Sequence, residues 1–284
     1  MSAEYHEPSN WAEAIAILEK HGDDAVVLAG GTAYTLLLRQ GLIRPAHVVG
    51  LRRLPGATRI DVDAHGGLSI GAMATHTHSL RAEAVRGAWP ELADALAKVA
   101  TIRIRDQATV VGSVAHADPA SDAPAMLCAL GAQAVVVSGP DAAPRRVPVD
   151  ALLVDLFTTT LARAELIHSI EIPARTPWTR AVYLKYTSRS VDDYATVSVA
   201  ARADVVDGAF RDLRIFLAGV GPKPMRASSV ENALRGAKAD GAFAEAAALV
   251  RGDVDPIDDV RGSASYKREM SRVWTERALR KLAA

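Results

Sequence analysis

The chain has 284 residues, 49% of them apolar, and its 33 Lys and Arg balance 33 Asp and Glu; this predicts one large domain and a smaller one and argues against nucleic acid or an anionic membrane surface as partner. No apolar run reaches the roughly 18 residues of a membrane span, and the polar start from Met1 to Glu7 lacks the basic-then-apolar layout of an export signal, so a cytoplasmic protein is expected. The single cysteine, Cys128, excludes a disulfide framework and leaves too few thiolates for an iron–sulfur cluster held by this chain alone.

Trp11, Ala14, Ile15 and Leu18 recur at helical spacing, with Asn10 and Glu13 as a capping box and Gly22 as the stop. Ala25 to Ala29 is a continuous apolar run suited to a buried strand. Gly30-Gly31-Thr32 turns the chain, Thr32 caps a short helix through Leu38, and Ala46 to Leu51 is a second strand, which completes a β-turn-α-β unit. Arg59 to Asp63 and Leu68 to Ala72 alternate about Gly66-Gly67 and predict a hairpin. Pro90 opens a helix in which Leu92, Leu96 and Val99 share a face. Ile102 to Ser121 has little periodicity and reads as a long loop. Asp122 then caps a helix through Leu130 that Gly131 stops. Strands are expected at Ala134 to Val137, Arg145 to Val149 and Leu166 to Ile172. The connector Pro173 to Pro177 places a domain boundary near residue 176. Beyond it, Ala195 to Val206 and Leu213 to Val220 read as a hairpin around Asp207-Gly208, and a helix from Tyr266 to Leu282 closes the chain.

Three stretches have the makings of a ligand site. In the first, Val27-Leu28-Ala29-Gly30-Gly31-Thr32-Ala33, two glycines between a strand and a helix let the backbone approach a ligand, and the helix start favours phosphate. The stretch is neither G-x-G-x-x-G nor a Walker A loop, and on the local sequence alone a tight turn that binds nothing is the favoured reading. The second stretch, Ala108 to Asp122, is rich in small residues. Long unperiodic segments inside compact domains are usually functional, although Asp122 needs no ligand to explain it as a helix cap. In the third, Lys185 sits among apolar strand residues, and Tyr194 has the shape to lie against an aromatic cofactor. His76 and His78 lack further metal ligands, and Ser113 with His116 lacks a nucleophile elbow. No metal site and no catalytic acid–base residue is expected. That absence suits a chain that holds a cofactor.

Together these stretches resemble the FAD-binding medium subunit of the carbon monoxide dehydrogenase, xanthine dehydrogenase and aldehyde oxidoreductase family of molybdenum hydroxylases. The likeness runs through Tyr5-x-x-Pro8, Leu28-Ala29-Gly30-Gly31-Thr32, Pro45-x-x-Val48-Val49, Thr101 to Arg105, Ala108 to Ser113, Asp118 to Asp122, Ile167 to Pro173, Lys185 to Arg189 and Asp193-Tyr194-Ala195. The resemblance implies an α+β fold. Residues 1–176 would form an FAD domain of the vanillyl-alcohol-oxidase (PCMH) type, with subdomains of about 1–57 and 58–176, and residues 177–284 a smaller C-terminal α+β domain. It implies FAD as cofactor, with Val27 to Ala33 wrapping the pyrophosphate and Gly112, Ser113, His116, Ser121 and Asp122 contributing contacts. Ile167, Lys185 and Tyr194 would lie near the isoalloxazine, where a cation stabilises the reduced, anionic ring.

The implied partners are a large molybdopterin-binding subunit and a small subunit with two two-iron iron–sulfur clusters, assembled as a dimer of heterotrimers. Electrons would pass from those clusters to the flavin and on to a quinone, NAD or dioxygen. A flavin-free scaffold and a self-contained flavin oxidase are the competing readings. Gly31→Trp and Asp122→Ala are each expected to weaken FAD retention without unfolding the chain. Two departures from the family stand out: Val111 replaces the first glycine of the second loop, so the backbone there must keep an ordinary conformation, and the cysteine-rich insertion that binds an extra cluster in one branch of the family is missing.

Overall fold

The protein is described by a computed structural model covering residues 3–139, 142–241 and 243–284; Met1 and Ser2 of the polar start lie outside it. Strands β1 (Glu4–His6), β2 (Ala25–Leu28) and β3 (His47–Gly50) form a parallel sheet in the order β1-β3-β2. It carries helices α1 (Trp11–His21) and α2 (Thr32–Arg39). The Asn10 side chain accepts the Glu13 N–H at 2.9 Å, as the capping box predicts, and Ala14, Ile15 and Leu18 are buried. Strand β1 was not foreseen, because three residues carry too little pattern to read.

The second sheet is antiparallel. It contains β4 (Ile60–Val62), β5 (Leu68–Gly71), β6 (Gln133–Val137), β7 (Arg145–Pro148) and, beyond the small β8 (Leu153–Asp155) and β9 (Thr158–Thr159) pair, β10 (Leu166–Ile172). The order is β4-β5-β10-β6-β7. Seven helices fall within the described residues of the same stretch: α3 (His76–Arg81), α4 (Glu83–Ala88), α5 (Pro90–Ala97), α6 (Ile102–Arg105), α7 (Val110–His116), α8 (Asp122–Leu130) and α9 (Val149–Leu152). The expected loop from Ile102 to Ser121 is therefore incorrect, since α6 and α7 occupy much of it. Burial of Val110, Val111 and Val114 stabilises α7 despite its β-branched residues, so tertiary packing overrides local propensity.

The third sheet comprises β11 (Thr179–Tyr186), β12 (Val197–Val206), β13 (Ala209–Phe210), β14 (Arg214–Ala218) and β15 (Met225–Arg226), with helices α10 (Ser228–Leu234), α11 (Phe243–Ala248) and α12 (Ala264–Ala283). The expected antiparallel pairing of the two strands on either side of Asp207-Gly208 is present, β14 running beside β12 over Ser198–Arg202, and the turn between them first forms the two-residue β13 against β12. The strand expected around Lys185 is β11, whose bounds the sequence does not mark because Arg180 and Lys185 interrupt its apolar pattern.

Alternation along this sheet divides its side chains between two cores. Tyr183, Ala200, Phe216 and Ala218 join the core of the preceding sheets, whereas Leu184, Val199, Ala201, Ile215 and Leu217 face α10, α11 and α12. Helix α8 lies against β12 and β14, and all nine of its residues are buried. A helix apolar all round fits such a place between layers. Among the described residues no helix is long and apolar enough to cross a membrane.

Candidate functional site

The glycine turn follows β2 directly. Gly31 has φ +72°, the left-handed conformation that glycine adopts at no steric cost, and it occupies the N-cap of α2. With no side chain on Gly31 to cap the helix, the first-turn N–H groups of Thr32 and its neighbours have no partner from that position. The expected cap at Thr32 is thus displaced by one residue. Gly30 is required for a different reason: a Cβ there would collide with the Gln107 carbonyl and lie 2.9 Å from the Ala108 Cα.

That close approach brings the first two expected stretches together. A Cβ on Gly112 would sit 3.9 Å from the Ala29 side chain. The segment before α7 is held from its other side as well. The His76 N–H donates to the Ala108 carbonyl at 2.9 Å, and the Val110 N–H to the Ala74 carbonyl at 3.1 Å. The Gly112 N–H is itself engaged, donating to Thr109 Oγ1 at 3.0 Å.

Ser113 rests on a buried histidine. Its hydroxyl donates to the Thr109 carbonyl at 3.2 Å, and His76 Nε2 lies 3.0 Å from the same oxygen. With the serine proton committed, Nε2–H is the donor and Nδ1 is unprotonated; among the described residues Nδ1 has no hydrogen-bond partner. Burial, reinforced by the charge on Arg105, pulls the His76 pKa down to about 4, so the ring is neutral near pH 7. His76 was considered only as a metal ligand from the sequence. Its role beneath Ser113 had no local signal.

At the far end of α7, His116 packs against Phe157 with ring centroids 5.1 Å apart. The chain then reaches Ser121, which stands at the N-cap of α8 without a side-chain cap bond, and Asp122, which is the first helical residue rather than the cap. The Asp122 carboxylate receives the Tyr183 hydroxyl and, at 2.9 Å, the Lys185 ammonium. Lys185 also donates to the Lys98 carbonyl at 2.8 Å, and Lys98 in turn donates to the Tyr183 carbonyl at 3.0 Å. Tyr183 and Lys185 are two apart on β11 and so point to the same side, towards α8. Burial holds the Asp122 carboxyl above its ordinary value, with Lys185 and Tyr183 opposing the shift. Lys98 and Tyr183 carry no local signal in the sequence, since their shared partners lie more than 60 residues away.

Tyr194 comes to the same region. Its side chain is about half exposed, yet partial desolvation, and then Asp118 beside its hydroxyl, raise its pKa to about 12, and the Arg261 guanidinium lies 5.8 Å from its ring centre. Ile167 is 4% exposed and lies on β10 next to a register shift between Ile167 and Ser169. Two shallow concavities, of about 310 and 440 Å³, lie elsewhere, one beside Arg180 and Lys238 and the other beside Gly66 and Glu83.

The geometry suits a diphosphate-bearing dinucleotide: an uncapped helix start behind a turn that admits no Cβ, beside a second segment whose Ser113 rests on the neutral His76. A family profile described as the FAD binding domain in molybdopterin dehydrogenase matches residues 1–175. The chain belongs to that family. FAD is its cofactor, and it is a flavoprotein subunit of the molybdenum hydroxylases, a class of oxidoreductases. A second profile, the CO dehydrogenase flavoprotein C-terminal domain, matches residues 182–282. The subunit is 31% identical to the carbon monoxide dehydrogenase medium chain of Hydrogenophaga pseudoflava over 281 residues, 97% of this chain and 95% of that one. It is 30% identical to the glyceraldehyde dehydrogenase medium chain of Sulfolobus acidocaldarius, over 95% of each. A solved carbon monoxide dehydrogenase from H. pseudoflava, lacking the Mo-pyranopterin moiety of its molybdenum cofactor, superposes with a TM-score of 0.94 at 31% identity, covering 99% of this chain and 97% of that one. The expected α+β architecture, an FAD-binding part followed by a C-terminal part, is the one observed.

Proposed function

We propose that Val27 to Ala33 hold the FAD diphosphate, that Gly112, Ser113, His116 and Ser121 line its course along α7, and that Asp122, Ile167, Lys185 and Tyr194 define the isoalloxazine end. The abutment of Gly30 on Gln107–Ala108 carries this reading, because it sets two glycine-containing segments, remote in sequence, against each other. Backbone N–H groups at the α2 start would neutralise phosphate charge without a lysine. The neutral His76 fixes Ser113 without adding a second charge. The Asp122–Lys185 pair anchors β11 to α8 and holds one cation at the junction. When bound, FAD supplies the conversion between single-electron and paired-electron transfer.

On this reading residues 1–176, with subdomains of about 1–57 and 58–176, form the FAD domain and residues 177–284 the C-terminal domain. The subunit takes electrons from iron–sulfur clusters of a small partner. It works beside a large molybdopterin-binding subunit in a cytoplasmic dimer of heterotrimers and passes electrons to an external acceptor. Support for the partners comes from relatives that are themselves medium chains, and from the single buried cysteine, which cannot hold a cluster.

Two measurements on purified protein test this. The full chain, reconstituted with FAD, should bind one flavin and show no steady turnover of small organic substrates on its own. Co-purification with a molybdopterin-binding and a cysteine-rich chain should then restore dehydrogenase activity. Sustained turnover by the isolated chain would overturn the relay, and failure to take up FAD would overturn the pocket.

A further inference from the structure

Outside the flavin region, three histidines far apart in sequence meet at one end of the first sheet. In the parallel pairing of β1 with β3, Glu4 lies opposite His47, and His6 follows on the same face as Glu4. Helix α1 packs on that face through Ala14, Ile15 and Leu18 against Val49, and its last residue, His21, arrives above His47. The His21 and His47 ring centroids are 3.6 Å apart, and His6 lies 5.2 and 5.6 Å from His47 and His21.

We propose that His6, His21 and His47 bind one divalent transition-metal ion of the zinc class, with the Glu4 carboxylate or a water in the fourth position. Each ring offers a nitrogen, and the three donor atoms lie within 4.8 Å of one another. His6 Nε2 and His47 Nδ1 are already 3.0 Å apart, and Glu4 Oε2 lies 3.4 Å from His47 Nδ1. Tetrahedral bonds of about 2.1 Å place ligand atoms roughly 3.4 Å apart, so adjustments of about 1.4 Å at most would close the shell. The chemistry of the set is right for such an ion: imidazole nitrogens with one carboxylate, none fully exposed apart from the flexible acid. Binding requires neutral rings.

The site is separate from the flavin. His47 pairs with Ala25 at the start of β2, while the glycine turn leaves the other end of that strand beyond Leu28, about 15 Å away at strand spacing. A bound ion would clip β1 and the end of α1 to β3 and so stabilise the first subdomain without touching the redox chemistry.

The test uses the full chain with FAD bound, stripped of metal by a chelator. Titration calorimetry with Zn²⁺ near neutral pH should give one ion per chain. His21→Gln and His47→Gln should each weaken binding by more than about tenfold, the loss seen when even an outer-shell partner is removed, with flavin content unchanged. Co²⁺ in the unmutated protein should show the intense visible bands of a four-coordinate site, a readout that requires no variant to fold. Zn²⁺ binding that survives both substitutions together, or only the weak spectrum of hydrated cobalt, would overturn the proposal.

Discussion

The carboxylate of Asp122 and the ammonium of Lys185 lie 2.9 Å apart, each side chain only 5% exposed, and they join the start of α8 to β11. Taking two ions out of water costs several kcal/mol each, and close geometry with further hydrogen bonds offsets that. Here Tyr183 and the Lys98 carbonyl supply them. Asp122→Ala should therefore cost about 3–5 kcal/mol by leaving Lys185 unpaired, and Asp122→Ala with Lys185→Met should cost less than Asp122→Ala alone. Urea unfolding of the four forms checks this; a double-variant loss equal to the sum of the two single losses would show that the pair contributes no coupling. Asp122→Ala is accordingly a stability variant, and the sequence-based expectation that it would report cleanly on flavin retention needs this correction.

The glycine turn gives a cleaner flavin test. A Cβ at Gly30 must displace the Gln107 carbonyl, so Gly30→Ala should push the two segments apart and lower the FAD-to-protein absorbance ratio well below that of the parent. The overpacking itself costs about 1–3 kcal/mol. Gly87→Ala, in α4 with nothing within 4 Å of the added carbon, is the control and should stabilise slightly, by about 0.5–1 kcal/mol, with flavin content unchanged. Parent-like flavin content in Gly30→Ala would remove the turn from the site.

His76 makes stability depend on pH. Its folded pKa of about 4 lies below the 6.5 of a free histidine, so between those values the unfolded chain binds the extra proton. The contribution is fully present above pH 6.5, falls as pH drops towards 4, and amounts to about 3 kcal/mol at its limit. His76→Gln retains a donor for Ser113 without titrating. Its stability should fall less steeply from pH 6.5 to pH 4.5; identical slopes in chemical denaturation would exclude His76 as the group responsible.

Val111 is 4% exposed within α7. Val111→Gly should cost about 2–4 kcal/mol, combining lost burial with the helix penalty of glycine. A thermal melt within a degree of the parent would mean that α7 does not depend on this side chain.

Several features were legible because they depend on neighbours in sequence. The Asn10 cap, the Gly30–Gly31 turn and the hairpin around Gly66 each declare themselves within a few residues. Helix α7 did not, since Val110, Val111, Gly112 and Val114 are poor helix formers and the helix ends on Ala117 at φ +53°, a conformation that no alanine advertises. The partners of Asp122 are 61 and 63 residues away, and His6 is 41 residues from His47. Glycines showed where backbone must pass close, but not which backbone. The resemblance to a family supplied the cofactor; the coordinates supplied the Gln107 contact and the ring beneath Ser113.

Because α8 is wrapped by apolar groups on every side, with β12 and β14 forming one of its walls, the two halves of this polypeptide have no clean seam. A truncated gene product stopping at residue 176 would leave Ala125, Met126 and their neighbours facing solvent where Ala200 and Phe216 now sit. Such a fragment would be sticky rather than portable, so grafting only the nucleotide-holding half onto another enzyme would require redesigning the wall it leaves behind.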